Sequence, residues 1–292
     1  MECKGGKSPP IKRYKNKGGK SVSIYHYTDL NAVKLILETK KLRLTDSRYL
    51  NDIKELSDGL TFIYEAIENG NWSETSREQR KRAIDFIKAE INEYLLYGTE
   101  EEPIFVCSFS TKPDLLSQWR SYGMFAIEFE ELDLESDGFN LRKCLYNKEE
   151  KRDRANLAVK EAILGLESFF HTNDGQFFGD AFDFVPKLVE LASIFKDSGF
   201  SEESEVRHID VVGETEPKLK FRVKDNILVP YIDKEIFLPS IKAIHVGPVP
   251  DRKMVINSLE QYIRFIWSQH EREWGWSEHH IDIVESVIPY RG

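Results

Sequence analysis

Long apolar runs are missing from this sequence. None approaches the roughly 18 residues that a membrane-spanning helix needs, and no charged-then-apolar leader is expected at its start. Cysteine is scarce. Cys3, Cys107 and Cys144 are the only three in 292 residues, with neither a disulfide framework nor metal-ligand spacing, a usage that fits a reducing cytoplasm. An excess of basic charge is also missing: 41 Lys and Arg against 50 Asp and Glu leave a formal charge of −9. That argues against a broad, sequence-independent nucleic-acid face but leaves room for a local basic patch. Gly247-Pro248-Val249-Pro250-Asp251 stands before a helix yet lacks the glycine spacing of a phosphate loop. His270-Glu271 has Trp274 where a zinc-protease helix needs its second histidine. Glu278-His279-His280 reads as a solvated turn, and no metal site is expected.

What remains is an ordinary globular composition, 40% hydrophobic and 12% aromatic. Residues 1–20 stand apart, with seven Lys and Arg among glycines and prolines and few large apolar side chains. Such a segment buries too little to offset its ordering entropy, so a disordered basic tail is expected there. From 21 to 292 the pattern predicts one α+β domain around a bent, mostly antiparallel or mixed sheet. Peripheral helices are expected at about 52–97 and, as a helical insertion, at about 148–200.

The organising stretch is Ser23-Ile24-Tyr25-His26-Tyr27-Thr28-Asp29. A strand runs up to His26, and Thr28-Asp29 offers side-chain oxygens to a helix starting at Leu30. His26 then either meets a polar ligand beside that helix or is a half-buried strand histidine bonded to a carbonyl. Arg48 to Asp52 is a polar turn before the next helix, and Ser76 with Gln79 makes a capping box for a third. Pro103 to Ser110 is apolar on both faces up to Cys107, then closes with Ser108-Phe109-Ser110. Asp114 is placed to cap a short helix carrying Trp119 and Tyr122, which serve packing and ligand contact equally well. His171 falls in a loop-like run. Glu203 and Glu205 share a face if their strand begins early, where they would repel and one could keep a raised pKa; the plainer reading is an exposed acidic strand entry balanced by Arg207. Strands are also expected at 220–223, 227–231, 236–238 and 241–246, with an edge strand near Ile281 to Val284.

Seven short motifs in order resemble a prokaryotic family, a domain of unknown function found in bacteria and their mobile elements. They are Tyr25-His26-Tyr27-Thr28, Leu50-Asn51-Asp52, Cys107-Ser108-Phe109-Ser110, Trp119-Arg120-Ser121-Tyr122-Gly123, Glu203-Ser204-Glu205-Val206-Arg207, His245-Val246-Gly247-Pro248 and Ser286-Val287-Ile288-Pro289-Tyr290-Arg291. A histidine closing the first strand, serines on a middle strand and a late Glu-x-Glu also resemble the ADP-ribosyltransferase superfamily, and the opening is similar to that of the DarT toxins. The superfamily's Glu-x-Glu members usually carry an arginine on the first strand, where this chain has His26. This resemblance implies NAD as substrate and transfer of ADP-ribose to a protein or nucleic-acid acceptor, as a toxin or phage-defence effector with an antitoxin or defence-system partner. Glu205 would stabilise the ribosyl cation, Glu203 orient the acceptor, and His26 hold a ribose hydroxyl. Tyr122 or Phe109 would stack on nicotinamide beside Ser108 or Ser110, while Arg48, Arg120 or Arg207 pairs with pyrophosphate. Tyr27, Thr28 and Trp119 complete the implied cofactor-binding set. The alternative from another class is a non-catalytic sensor that binds a nucleotide or a phage protein in the same cleft.

Overall fold

The computed structural model describes residues 22–50, 54–70, 72, 78–98, 103–172, 183–212, 217–274 and 280–289. The expected basic tail, Asn51-Asp52, the Ser76 cap, Glu278-His279 and Tyr290-Arg291 lie outside them. The described strands form one mixed sheet: β1 (Ser23–Thr28), β2 (Lys41–Asp46), β3 (Ile104–Ser110), β4 (Phe125–Glu130), β5 (Leu141–Lys143), β6 (Glu205–Val211), β7 (Lys220–Lys224), β8 (Ile227–Glu235), β9 (Ile241–Val246) and β10 (Asp282–Glu285). Only the β10–β9 pair is parallel; the remaining ladders are antiparallel.

β3 is buried on both faces because its side chains alternate between two apolar layers. Phe105, Cys107 and Phe109 enter a core built with α1 (Leu30–Thr39) and α8 (Arg252–Trp274). Ile104 and Val106 enter a second core on the opposite face. That core is built by α2 (Lys54–Asn69), α3 (Glu78–Tyr97), α6 (Lys148–Thr172) and α7 (Phe184–Ala192). His171 is exposed in the last turn of α6 rather than in a loop. The strand expected at 236–238 is absent, because β8 extends to Glu235 and Leu238 begins a short 3-10 turn. Among the described residues no helix is long and apolar enough to cross a membrane.

The sheet forks at β3. One edge pairs with β6 along its whole length. The other is shared: Phe105 and Val106 face β2, whereas Ser110 faces Tyr25 of β1. Between them His26 fills the gap, with Nδ1 2.9 Å from the Ser108 carbonyl oxygen. A carbonyl only accepts, so Nδ1 carries the proton. The plainer reading of His26 therefore describes its contacts.

A third, small cluster of Tyr25, Tyr27, Trp119 and Ala126 sits under α4 (Leu116–Tyr122). The Tyr27 ring meets Trp119 edge-on at 4.6 Å, and its hydroxyl donates to the Lys112 carbonyl at 2.7 Å. Asp114 does not cap α4, whose N-cap position is Leu115 with no side-chain bond. Its carboxylate instead accepts from Trp119 Nε1 (2.7 Å), Ser286 Oγ (2.6 Å) and the Val287 N–H (2.9 Å), joining helix to C-terminal segment. Gly123 has φ of +123°, and an added Cβ would lie 2.6 Å from the Thr28 carbonyl oxygen, so the Tyr122-Gly123 motif serves close packing on β1. An Asp114→Ala variant leaves the buried Trp119 N–H without its acceptor and is expected to lose about 2–3 kcal/mol. Urea denaturation checks this; an unchanged midpoint would refute the latch.

Candidate functional site

The antiparallel register of β3 and β6 sets Ser110 opposite Glu205 and Ser108 opposite Arg207, all on one face of the sheet. Ser204 adopts the left-handed region at φ 45°, ending the 3-10 turn Ser198–Glu203 just before β6 begins. The two glutamates thus do not share a strand face, since the strand starts only at Glu205. They meet through a third residue. Lys196 Nζ lies 2.5 Å from Glu203 Oε2 and 2.6 Å from Glu205 Oε2. Arg207 donates to Glu205 Oε1 through Nε (2.7 Å) and to Glu55 Oε2 through Nη2 (2.6 Å), while Nη1 donates to the Ser193 carbonyl (2.6 Å). Ser110 Oγ anchors the turn by donating to the Glu203 carbonyl at 2.6 Å.

This is a buried network of three carboxylates and two cations. Lys196, Glu205 and Arg207 are 6%, 7% and 4% exposed. Charges removed from water to that degree cost several kcal/mol each unless fully paired, and such groups concentrate at functional sites. Burial by itself raises the pKa of Glu205, but the charges and hydrogen bonds of Arg207 and Lys196 outweigh it and hold the carboxyl at about 2. The expected exposed strand entry is thus buried, and the like-charge repulsion is answered by Lys196 rather than by a proton on Glu205.

Beside the network stand Tyr122 and Phe200, each 41% exposed. Lys196 Nζ stands 5.2 Å from the Phe200 ring centre. The Tyr122 hydroxyl sits deep enough for burial, and then Glu205 and Glu203, to raise its pKa. Ser108 is half-buried, and its hydroxyl bonds nothing among the described residues. On the far side of Arg207 lies a cavity of about 170 Å³, with Arg48, Glu55, Ser193 and Arg207 at its polar end and Leu56 and Tyr94 among its apolar walls. Arg48 is oriented there by the fully buried Asp46, to which Nη2 donates at 2.7 Å.

The structure therefore brings together Glu203, Glu205, Arg207, Ser108, Ser110 and Tyr122, with Arg48 across the cavity. It does not bring His26 to them. Tyr25 shares the face of Ser110, so His26, one residue on, belongs to the opposite face, against Phe109 (5.6 Å between ring centres) and Cys107 Sγ (3.8 Å). Burial there lowers the His26 pKa against the effect of the Ser108 bond. Phe109 is 2% exposed and packs edge-on against Phe129 and Phe139, closed to a ligand. Tyr27, Thr28 and Trp119 are likewise buried, and Arg120 is exposed on α4. Lys196 and Glu55 had no signal in the sequence, because no spacing links positions 55, 196 and 207. Among the described residues no three His, Cys, Asp or Glu side chains are grouped to hold a metal ion.

The chain matches no family model and no curated protein, and its fold matches no solved structure.

Glu205 predicts a pH dependence. A carboxyl depressed from 4.5 to about 2 on folding contributes stability that is complete above about pH 4.5 and is lost as the pH falls toward 2. By linkage its size is on the order of 3 kcal/mol. Urea denaturation of wild type and Glu205→Gln between pH 2 and 7 should show the gap between them closing through that window. A gap independent of pH would mean that Glu205 is not held ionised.

Proposed function

We propose that this cleft binds NAD and breaks the bond between nicotinamide and ribose, in an ADP-ribosyltransferase-like effector that passes ADP-ribose to a macromolecular acceptor, as a toxin or phage-defence component. One observation carries the reading: Glu205 stands across from Ser110 with Glu203 on the same lysine, beside a tyrosine open to solvent. The cleavage passes through an oxocarbenium-like ribosyl cation. Three carboxylates against two cations leave the network one net negative charge, fixed before any substrate arrives, which favours that cation. Glu205 acts on it as an ionised carboxylate. Glu203 is nearest the rim and suits orientation of the acceptor hydroxyl or amine. Tyr122 offers a face for the nicotinamide ring, and the free Ser108 hydroxyl a partner for its carboxamide. Arg48, held by Asp46, is the arginine of the cavity lining that this reading sets against the pyrophosphate. His26, on the opposite face, holds the fork of the sheet and takes no part in this reading. Relation to the prokaryotic motif family and to the transferase fold belongs to the same proposal.

A second reading is favoured by a specific feature. Both Glu205 oxygens are already bonded to Arg207 and Lys196, and a cavity of about 170 Å³ is smaller than the roughly 300–1,000 Å³ of most small-molecule sites. A non-catalytic module that senses a nucleotide or a phage protein fits those facts.

Nicotinamide release from NAD by the purified chain separates the two. Transfer chemistry predicts release that falls about 10²–10³-fold in Glu205→Gln, the scale for losing one preorganised electrostatic group. Ser108→Ala and Tyr122→Ala, which disturb no buried bond, should raise KM while leaving the melting temperature in place. No release, even with cell lysate or infected-cell extract as acceptor and trigger, combined with thermal stabilisation by NAD, would establish the sensor reading instead.

A further inference from the structure

The arm of the sheet formed by β2, β8 and β7 carries a second cluster of charge, outside the Glu205 cleft. Tyr231 of β8 pairs with Thr45 on one side and Lys220 on the other. Arg43 lies two residues before Thr45, and Arg222 two residues after Lys220, so Arg43, Tyr231 and Arg222 share one face. Arg43 Cζ stands 4.6 Å above the Tyr231 ring centre. Arg222 lies near enough to feel the Arg43 charge and is half-buried; its Nε is buried and has no hydrogen-bond partner.

Neither guanidinium is paired with a carboxylate among the described residues. Asp233, the register partner of Arg43, is bound by Lys220 Nζ at 2.8 Å. Asp29 is the acidic group that reaches Arg222 through space, while its Oδ1 accepts from the Ala32 N–H at 2.8 Å. Burial first, and then the nearby Arg43 charge, lower the Arg222 pKa. By contrast, the buried Lys196 and Arg207 are each paired with carboxylates. Here Arg43 lies over the ring with Arg222 close enough to feel its charge and the Arg222 Nε unanswered, and Lys220 and Lys224 stand exposed on the same strand face. Like charges so placed repel unless an anion lies between them, and a phosphate presents several oxygens to match two guanidinium forks.

We propose that Arg43 and Arg222 form a phosphate-binding site over Tyr231, rimmed by Lys220 and Lys224, for a phosphate group carried by a free nucleotide or by a nucleic-acid backbone. The site is separate from the Glu205 network and does not rest on the NAD reading.

Two probes distinguish the sources: inorganic pyrophosphate, followed by calorimetry, and a fluorescently labelled single-stranded 20-mer DNA, followed by anisotropy at several salt concentrations. Arg43→Gln and Arg222→Gln should each weaken binding roughly tenfold or more, as for loss of a charge-assisted bond. The exposed Lys253→Gln on α8 should not. Because Arg222 has no hydrogen bond or ion pair to lose among the described residues, Arg222→Gln should not lower the melting temperature, which a purely structural arginine would. Pyrophosphate binding that disappears in the arginine variants supports the site with a free-nucleotide source. Binding of the DNA alone, with a salt slope reduced by about one in Lys224→Gln, supports it with a strand source. Absence of binding by either probe at low salt, or arginine variants that bind as wild type does, overturns the proposal.

Discussion

The structure depends on the two edges of β3. One edge is filled by β6 from end to end, and the other is divided between β1 and β2. A strand paired on both edges and buried on both faces must be apolar nearly throughout, and Ile104 to Cys107 obey that constraint. Where β1 and β2 part, a backbone carbonyl would be left in a gap, and an unpaired buried carbonyl is costly. The His26 ring closes that gap. The residue with the strongest look of a ligand-binding histidine is thus used to let a sheet divide.

The same division sets the two charged regions apart. On the β6 side, the register brings Glu205 and Arg207 over the serines of β3, α2 supplies Glu55, and the segment after α7 supplies Lys196. The resulting charges are buried but satisfied, and Arg207 and Lys196 hold the Glu205 carboxyl ionised. On the β2–β8–β7 side, Arg43 and Arg222 converge without such compensation. Burial with partners and burial without them have different consequences: the first preorganises a field, and the second leaves unspent binding capacity. That contrast motivates reading the first as a reaction or recognition cleft and the second as a place for an anion.

Several elements were legible from local pattern. The Asp29 cap before Leu30 and the double-sided burial of β3 each follow from spacing within a few residues. Errors arose where a residue's partner lies outside its own helix or strand. Asp114 resembles a cap by position, yet three donors, two of them from residues 286–287, claim its carboxylate. Glu203 and Glu205 look like an exposed repelling pair until Lys196 is folded against them. The short 236–238 segment is apolar enough for a strand but follows directly on a long one.

By itself the sequence determined most of the helices and strands and the mixed, mostly antiparallel character of the sheet. It could do so because periodicity and short motifs are local properties of the chain. Only the tertiary structure decided which face each side chain occupies, that His26 turns away from Glu205, and that Glu55 and Lys196 complete the network. Those outcomes depend on strand register, where one residue's shift reverses a face, on the turn that brings Lys196 back to Glu203 and Glu205, and on the contact of Glu55 with Arg207 across 152 residues, none of which periodicity encodes.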